Sequence, residues 1–261
     1  MTTHPFNSPS FSPSMLRGLC RRGEFDGATS GVAHGYVQAN MMIVPRDYAF
    51  EFLLFCQRNP KACPLVEVLE PGCFVPRCAP DADIRTDLPG YRIFENGVMV
   101  EEVADIAALW REDWVTFLIG CSFSFESALI AGGIPLRHVE DATNVAMFKT
   151  TIPCQSAGRF SGNLVVSMRP VKSGSVARAV EISARFPQVH GAPVHIGHPE
   201  AIGILDLSTP DFGDPIAVRD DELPVFWACG VTPQNVVQSS RIPFCISHSP
   251  GKMFITDFVN E

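Results

Sequence analysis

The stretch FLIGCSFSFESALIAGG, residues 117–133, places a glycine, a thiol, hydroxyls and a carboxylate where an apolar run stops and a helical pattern begins. A strand-to-helix corner leaves backbone N–H groups unpaired, and such groups suit an anion. Cys121, Ser122 and Ser124 stand at the corner, and Glu126 lies in the helical segment behind it. A second corner of the same grammar follows PVFWACG: Cys229 and Gly230 close the run, then Thr232 and Pro233 open a helix. If the two strands are neighbours in one sheet, both corners face one crevice that takes a carboxylate-sized anion without a metal. The competing reading is that Ser122, Ser124 and Thr232 only cap helices. Gly120-Cys121-Ser122 lacks the G-x-S-x-G pattern of a nucleophile elbow, so no covalent role is expected of Cys121.

The segment VHGAPVHIGHPEAIG, residues 189–203, holds His190, His195, His198 and Glu200. Their H-x4-H-x2-H spacing matches no zinc signature, whereas a neutral imidazole titrates near working pH and suits proton transfer. Glu126, His195 and His248 are the candidate acid/base groups, with His198 beside the pocket. Cys56, Cys63, Cys73 and Cys78 invite a structural zinc, but they lack paired C-x2-C knuckles, so no metal is expected. Arg85, Asp87 and Arg92 either grip a carboxylate or tie a loop with salt bridges. Arg159, Arg169 and Lys252 are candidates to hold a substrate carboxylate. On that reading, replacing Arg159 or Arg169 by Met leaves stability nearly unchanged.

Composition narrows the class. The 261 residues are 46% hydrophobic and 18% charged, a globular balance. A net charge of −8 argues against nucleic acid as a partner. No apolar run reaches the roughly 20 residues of a membrane span. The first fifteen residues, MTTHPFNSPSFSPSM, read as a frayed leader and not as a signal peptide. The nine cysteines then read as reduced thiols of a cytoplasmic protein. The expected partner is a small anionic, amino-acid-like substrate; no cofactor is expected, and the composition is compatible with a homo-oligomer.

Several elements must position these residues. RDYAFEFLLFCQRNP (46–60) predicts a helix, and Asn96-Gly97 a two-residue hairpin turn. EEVADIAALWRED (101–113) has the spacing of an amphipathic helix, and WVTFLI (114–119) that of a buried strand. MFKTTIP, LVVSMRP, AIGILDL, PVFWACG, PFCISH and the end of the chain read as strands, with a helix over 174–186. The order predicts an α/β fold with a parallel or mixed sheet. It divides into a three-layer α/β/α main domain (1–135 and 211–261) and a smaller inserted α+β domain (136–210).

FCQRNPKACPL, DIRTDLPGYR, GCSFSFESAL, VVSMRP, HGAPVHIGHP, VFWACGVTPQ and SHSPGKMFITD occur in this order between about Gly35 and Asp257. In them the chain resembles the D-glutamate cyclase-like hydro-lyase family. The resemblance implies a lyase acting on a small amino or hydroxy acid, with D-glutamate and its dehydration to 5-oxo-D-proline as the leading case. Where the family pattern reads H-x-G-D-P, this chain has His195-Ile196-Gly197-His198-Pro199. Loss of water from such a substrate needs a base, donors for a developing oxyanion and an acid for the departing oxygen.

Overall fold

The computed structural model describes residues 11–260. The leader expected at the start lies largely outside them, although Pro13–Met15 already belong to helix α1 (Pro13–Arg21), capped by the Ser12 hydroxyl. Among the described residues no helix is long and apolar enough to cross a membrane.

The fold is α/β, with helices packed on two antiparallel sheets. The first sheet contains β1 (Tyr36–Pro45), β2 (Leu65–Val68), β3 (Tyr91–Glu95), β4 (Val98–Val103), β5 (Trp114–Gly120), β10 (Phe244–His248) and β11 (Phe254–Val259). Its order is β2-β5-β1-β10-β3-β4, with β11 also on β1. The second sheet runs β6 (Ala146–Pro153), β7 (Asn163–Lys172), β9 (Glu222–Ala228) and β8 (His195–Ile196). Among the described residues every strand pairing is antiparallel, which replaces the parallel or mixed sheet expected from the element order.

The strand at 222–228 departs furthest from expectation. It pairs with β7 from Val166↔Ala228 to Lys172↔Glu222, and not with β5. The second sheet therefore draws its strands from both sides of residue 210. The two sheets nevertheless share a core. Phe117 and Ile119 of β5 belong to one buried cluster with Phe148, Val166, Met168 and Phe226 of the second sheet. Phe52 and Phe55 of α2 (Arg46–Arg58) and Val236 and Val237 of α6 (Thr232–Ser240) complete it. The other face of the first sheet is covered by Leu69, Ala79, Ile84 and Leu88 from a long loop. The other face of the second sheet carries α3 (Glu126–Ala131), α4 (Arg137–Glu140) and α5 (Val176–Ala184), through Leu129, Val139 and Ala179.

Two further assignments change. Residues 101–113 are not a helix: β4 continues to Val103, and only Ala107–Leu109 make a 3-10 turn. The Asn96-Gly97 turn decides this, because Glu95↔Val98 pairing carries the hairpin on to Arg92↔Glu102. Residues 201–207 form no strand; a 3-10 turn at Pro199–Ile202 is followed by loop.

At the hairpin, Asn96 has φ 50° and Gly97 φ 81°, and a Cβ at 97 would lie 2.5 Å from the Gln238 carbonyl oxygen. Gly97→Ala combines backbone strain with a clash and should cost about 1–3 kcal/mol. A lowered urea midpoint with an unchanged slope is the expected reading, and an unchanged midpoint would contradict it.

Candidate functional site

Asn40 is, with Gln38, one of two buried amides in the mostly apolar run of β1, and three strand ends gather around it. Its Nδ2 donates to the Ile119 and Gly120 carbonyls at the end of β5, at 3.2 and 3.0 Å. Gly230, just past β9, lies so close that a Cβ there would be 1.9 Å from the same nitrogen. β10 flanks β1 on the other side, and its His248 ring nitrogen Nδ1 lies 3.2 Å from both the amide and the carbonyl of Met41. The premise that β5 and β9 share one sheet fails, yet their corners meet because the two sheets face each other.

The corners are built alike. Cys121 and Cys229 lie in one small cluster, walled by Val145, Met147, Val165 and Met253. Burial pushes the Cys121 thiol well up, although the Phe123 N–H favours its thiolate. Burial likewise pushes Cys229 up to about 11 against the opposing Val231 N–H. Both are therefore protonated at neutral pH, and all nine cysteines of the chain are free thiols. Thr232 does not stand open at this corner: its hydroxyl donates to the Cys229 carbonyl at 2.7 Å and accepts from Val165 N–H. Ser124 is similarly engaged, accepting from Gln38 N–H at 2.9 Å. Neither hydroxyl caps a helix, contrary to the alternative reading: Ser124 is tied to the backbone of β1 and Thr232 to that of β7.

Behind the first corner lies a buried ion cluster. Glu126 Oε1 accepts from Arg169 Nη2 at 2.6 Å and sits 2.8 Å from His138 Nε2, while Oε2 accepts from Ser30 at 2.7 Å. Arg169 also donates to Ser167 at 3.0 Å and to Ser122 at 3.1 Å, and its guanidinium faces the Phe125 and Trp227 rings. Burial alone would raise the Glu126 pKa, but the charges of His138 and Arg169 outweigh it and hold it at about 2. Glu126 is thus an anion locked in place and not a proton carrier near neutrality.

The other expected site residues lie elsewhere. His195 stacks near Phe226, on the face of the second sheet opposite Arg169, and its Nε2 bonds the His198 carbonyl at 2.9 Å. His198 precedes a 3-10 turn with φ 25°. His248 pairs with Tyr91, on the loop-covered face of the first sheet. Arg159 binds Glu51 at 3.1 Å on the surface, and Lys252 lies 3.5 Å from Glu102. Arg85 binds Asp83, Asp87 takes Arg21, and Arg92 takes Glu102, which is the salt-bridged-loop alternative. Cys56 and Cys63 belong to the inter-sheet core while Cys73 and Cys78 lie on the opposite face, so the four do not form one ligand set.

Sequence reasoning passed over His138 and Asn40, and it named His190 within the histidine segment but chose His195 and His248 as the acid/base groups. His190 is 1% exposed, on a turn so close to Gly120 that a Cβ there would lie 2.1 Å from the Gln188 carbonyl oxygen. Its φ is 85°, its Nδ1 sits 2.9 Å from the Lys61 carbonyl, and its Nε2 has no hydrogen-bond partner among the described residues. Burial pushes its pKa down to about 4, against the Lys61 carbonyl, which favours the protonated ring. The legible signal was for Asn40: Gln38 and Asn40 alternate within an apolar strand, where buried amides need a reason.

Arg169→Met strands a buried carboxylate and should destabilise the fold by about 3–5 kcal/mol, while joint replacement of Glu126 and Arg169 by Leu and Met should recover much of the loss. This reverses the expectation of unchanged stability; equal melting of wild type and Arg169→Met would restore it. Acid should also act in two windows. His190 and His248 are both pushed down to about 4 by burial. The unfolded chain takes up those protons first, so their contribution is complete above about pH 6.5 and is lost as pH falls towards 4. The Glu126 carboxyl, depressed to about 2, contributes above its unfolded value and loses that contribution as pH falls below about 4.3. Urea midpoints across pH 7 to 3 test both, and His190→Gln should flatten the upper window.

Residues 115–257 match the family described as D-glutamate cyclase. A protein named "Putative hydro-lyase" from Stutzerimonas stutzeri is 59% identical over 96% of this chain and 95% of its own length. Relatives of the same description from Methylobacterium and Bacillus subtilis are 58% and 55% identical, covering 93% and 96% of this chain and 90% and 98% of their own. The chain belongs to the D-glutamate cyclase family.

Proposed function

We propose that the protein is a carbon–oxygen lyase that removes water from a small amino or hydroxy acid, with cyclisation of D-glutamate to 5-oxo-D-proline as the leading reaction. The supporting observation is the meeting of the two corners at one buried cluster, where Cys121 and Cys229 are protonated thiols and Arg169 holds Ser122. Sulfur is a weak acceptor, so a carboxylate oxygen can take over the Phe123 and Val231 N–H groups.

In the cyclisation the substrate nitrogen attacks the distal carboxyl carbon. A C–N bond forms and a C–O bond breaks. Two protons leave the ammonium nitrogen and depart with the oxygen as water. The N–H groups at the corners stabilise the oxyanion formed on the way. Ser122 accepts its hydrogen bond from Arg169, which leaves its own proton to donate to the departing oxygen. His190, the imidazole the fold brings to Gly120, is neutral near pH 7, and its buried, unpartnered Nε2 is the group we assign to take a proton from the amine. Glu126 and Arg169 act by position: they hold Ser122 and tie the first corner to the second sheet. Cys121 lines the site, and the free thiols suit a reducing, cytoplasmic setting.

The test is incubation of pure protein with D- and L-glutamate, following loss of one water by mass spectrometry. Conversion of D-glutamate is expected, with His190→Gln and Ser122→Ala lowering kcat by roughly 10²-fold or more and Cys121→Ala keeping most of the activity. Saturable glutamate binding without turnover would replace the lyase by a binder of small amino acids. A thioester trapped at Cys121 would replace the non-covalent route.

A further inference from the structure

We propose that the cavity between α4 and the end of β7 is a second anion site, separate from the corners, which takes a small carboxylate. The cavity has a volume of about 140 Å³. That suits an acid of a few carbons and is too small for a nucleotide.

Its charges are arranged for a ligand. Arg137 and Glu222 neutralise each other in the wall; Arg137 also donates to the Ala217 carbonyl, and Glu222 Oε2 accepts from Arg219 N–H at 2.9 Å. Their side chains are only 17% and 6% exposed, so this pair is a fixed part of the structure. Lys172 and Arg219 stand at the rim, and neither side chain has a hydrogen-bonding or ionic partner among the described residues. Glu140 is the one unpaired acid among the lining residues, which leaves two free cations against one free anion. Ile134 and Val171 are buried beneath, giving a short aliphatic stem an apolar contact. A ligand that is anionic at one end and aliphatic at the other satisfies both surfaces.

Neither cation touches the ion cluster or the corners, so the site can be emptied without disturbing them. Succinate and acetate are the probes, titrated into the protein by calorimetry at low ionic strength. Saturable binding of succinate, weakened at least tenfold in Lys172→Ala/Arg219→Ala, is the expected result. The charge-conserving Lys172→Arg/Arg219→Lys should keep it, and Arg178→Ala, which removes an exposed cation elsewhere, should not change it. Absence of saturable binding, or equal affinity in the double alanine variant, overturns the proposal. Turnover of D-glutamate is not part of the readout, so failure of the lyase reading and failure of this site are distinguishable.

Discussion

The structure turns on one buried ion pair. Glu126 follows a strand of the first sheet, and Arg169 lies in the middle of the second, so their contact joins the two halves with a charge-assisted bond in a dry interior. Such a pair is a poor source of net stability, since desolvating both groups offsets most of the attraction. What it confers is position. Arg169 cannot rotate away from Glu126 without stranding a charge, and Ser122, His138 and Ser30 are ordered around the pair as its remaining hydrogen-bond partners.

The corners depend on that constraint. Facing sheets leave their strand ends free to slide past each other unless something fixes their relative offset. Here the ion pair fixes it on one side of the second sheet, and the Asn40–Gly230 contact fixes it on the other. The absence of a side chain at Gly230 is what permits the approach. The result is a fixed meeting of the two corners around Cys121 and Cys229, and donors held in place in this way act without reorganising during a reaction.

Much of this was legible from residues alone. The corner at Gly120–Glu126 and the one at Cys229–Thr232 were readable because apolar runs, turn residues and a helix-compatible proline mark them locally. The hairpin at Asn96-Gly97 was readable for the same reason. Sheet membership was not, because local pattern is silent about which strand a run will pair with; β9 reads like any buried strand whether it joins β5 or β7. The helix expected over 101–113 failed because a turn beside it extended the strand pairing past the point where helical spacing begins. Distant histidines misled in a similar way. His195 and His190 lie five residues apart, yet the turn between them sends one to a partly exposed edge strand beside Phe226 and the other to Gly120.

Asn40 also has a consequence for how the protein comes into being. Its bonds to Gly120 close a loop of 80 residues, and the neighbouring contact from Met41 to His248 spans 207. Pairings of such long range incur their loop-closure cost before any contact rewards it, so a topology that relies on them folds slowly. β1 is the hub, bonded to β5, β10 and β11, and it lies ahead of the 115–257 segment shared with the family description. On a growing chain that central strand emerges early and waits for its partners. Until the last residues arrive, its edges are open to whatever else can pair with them.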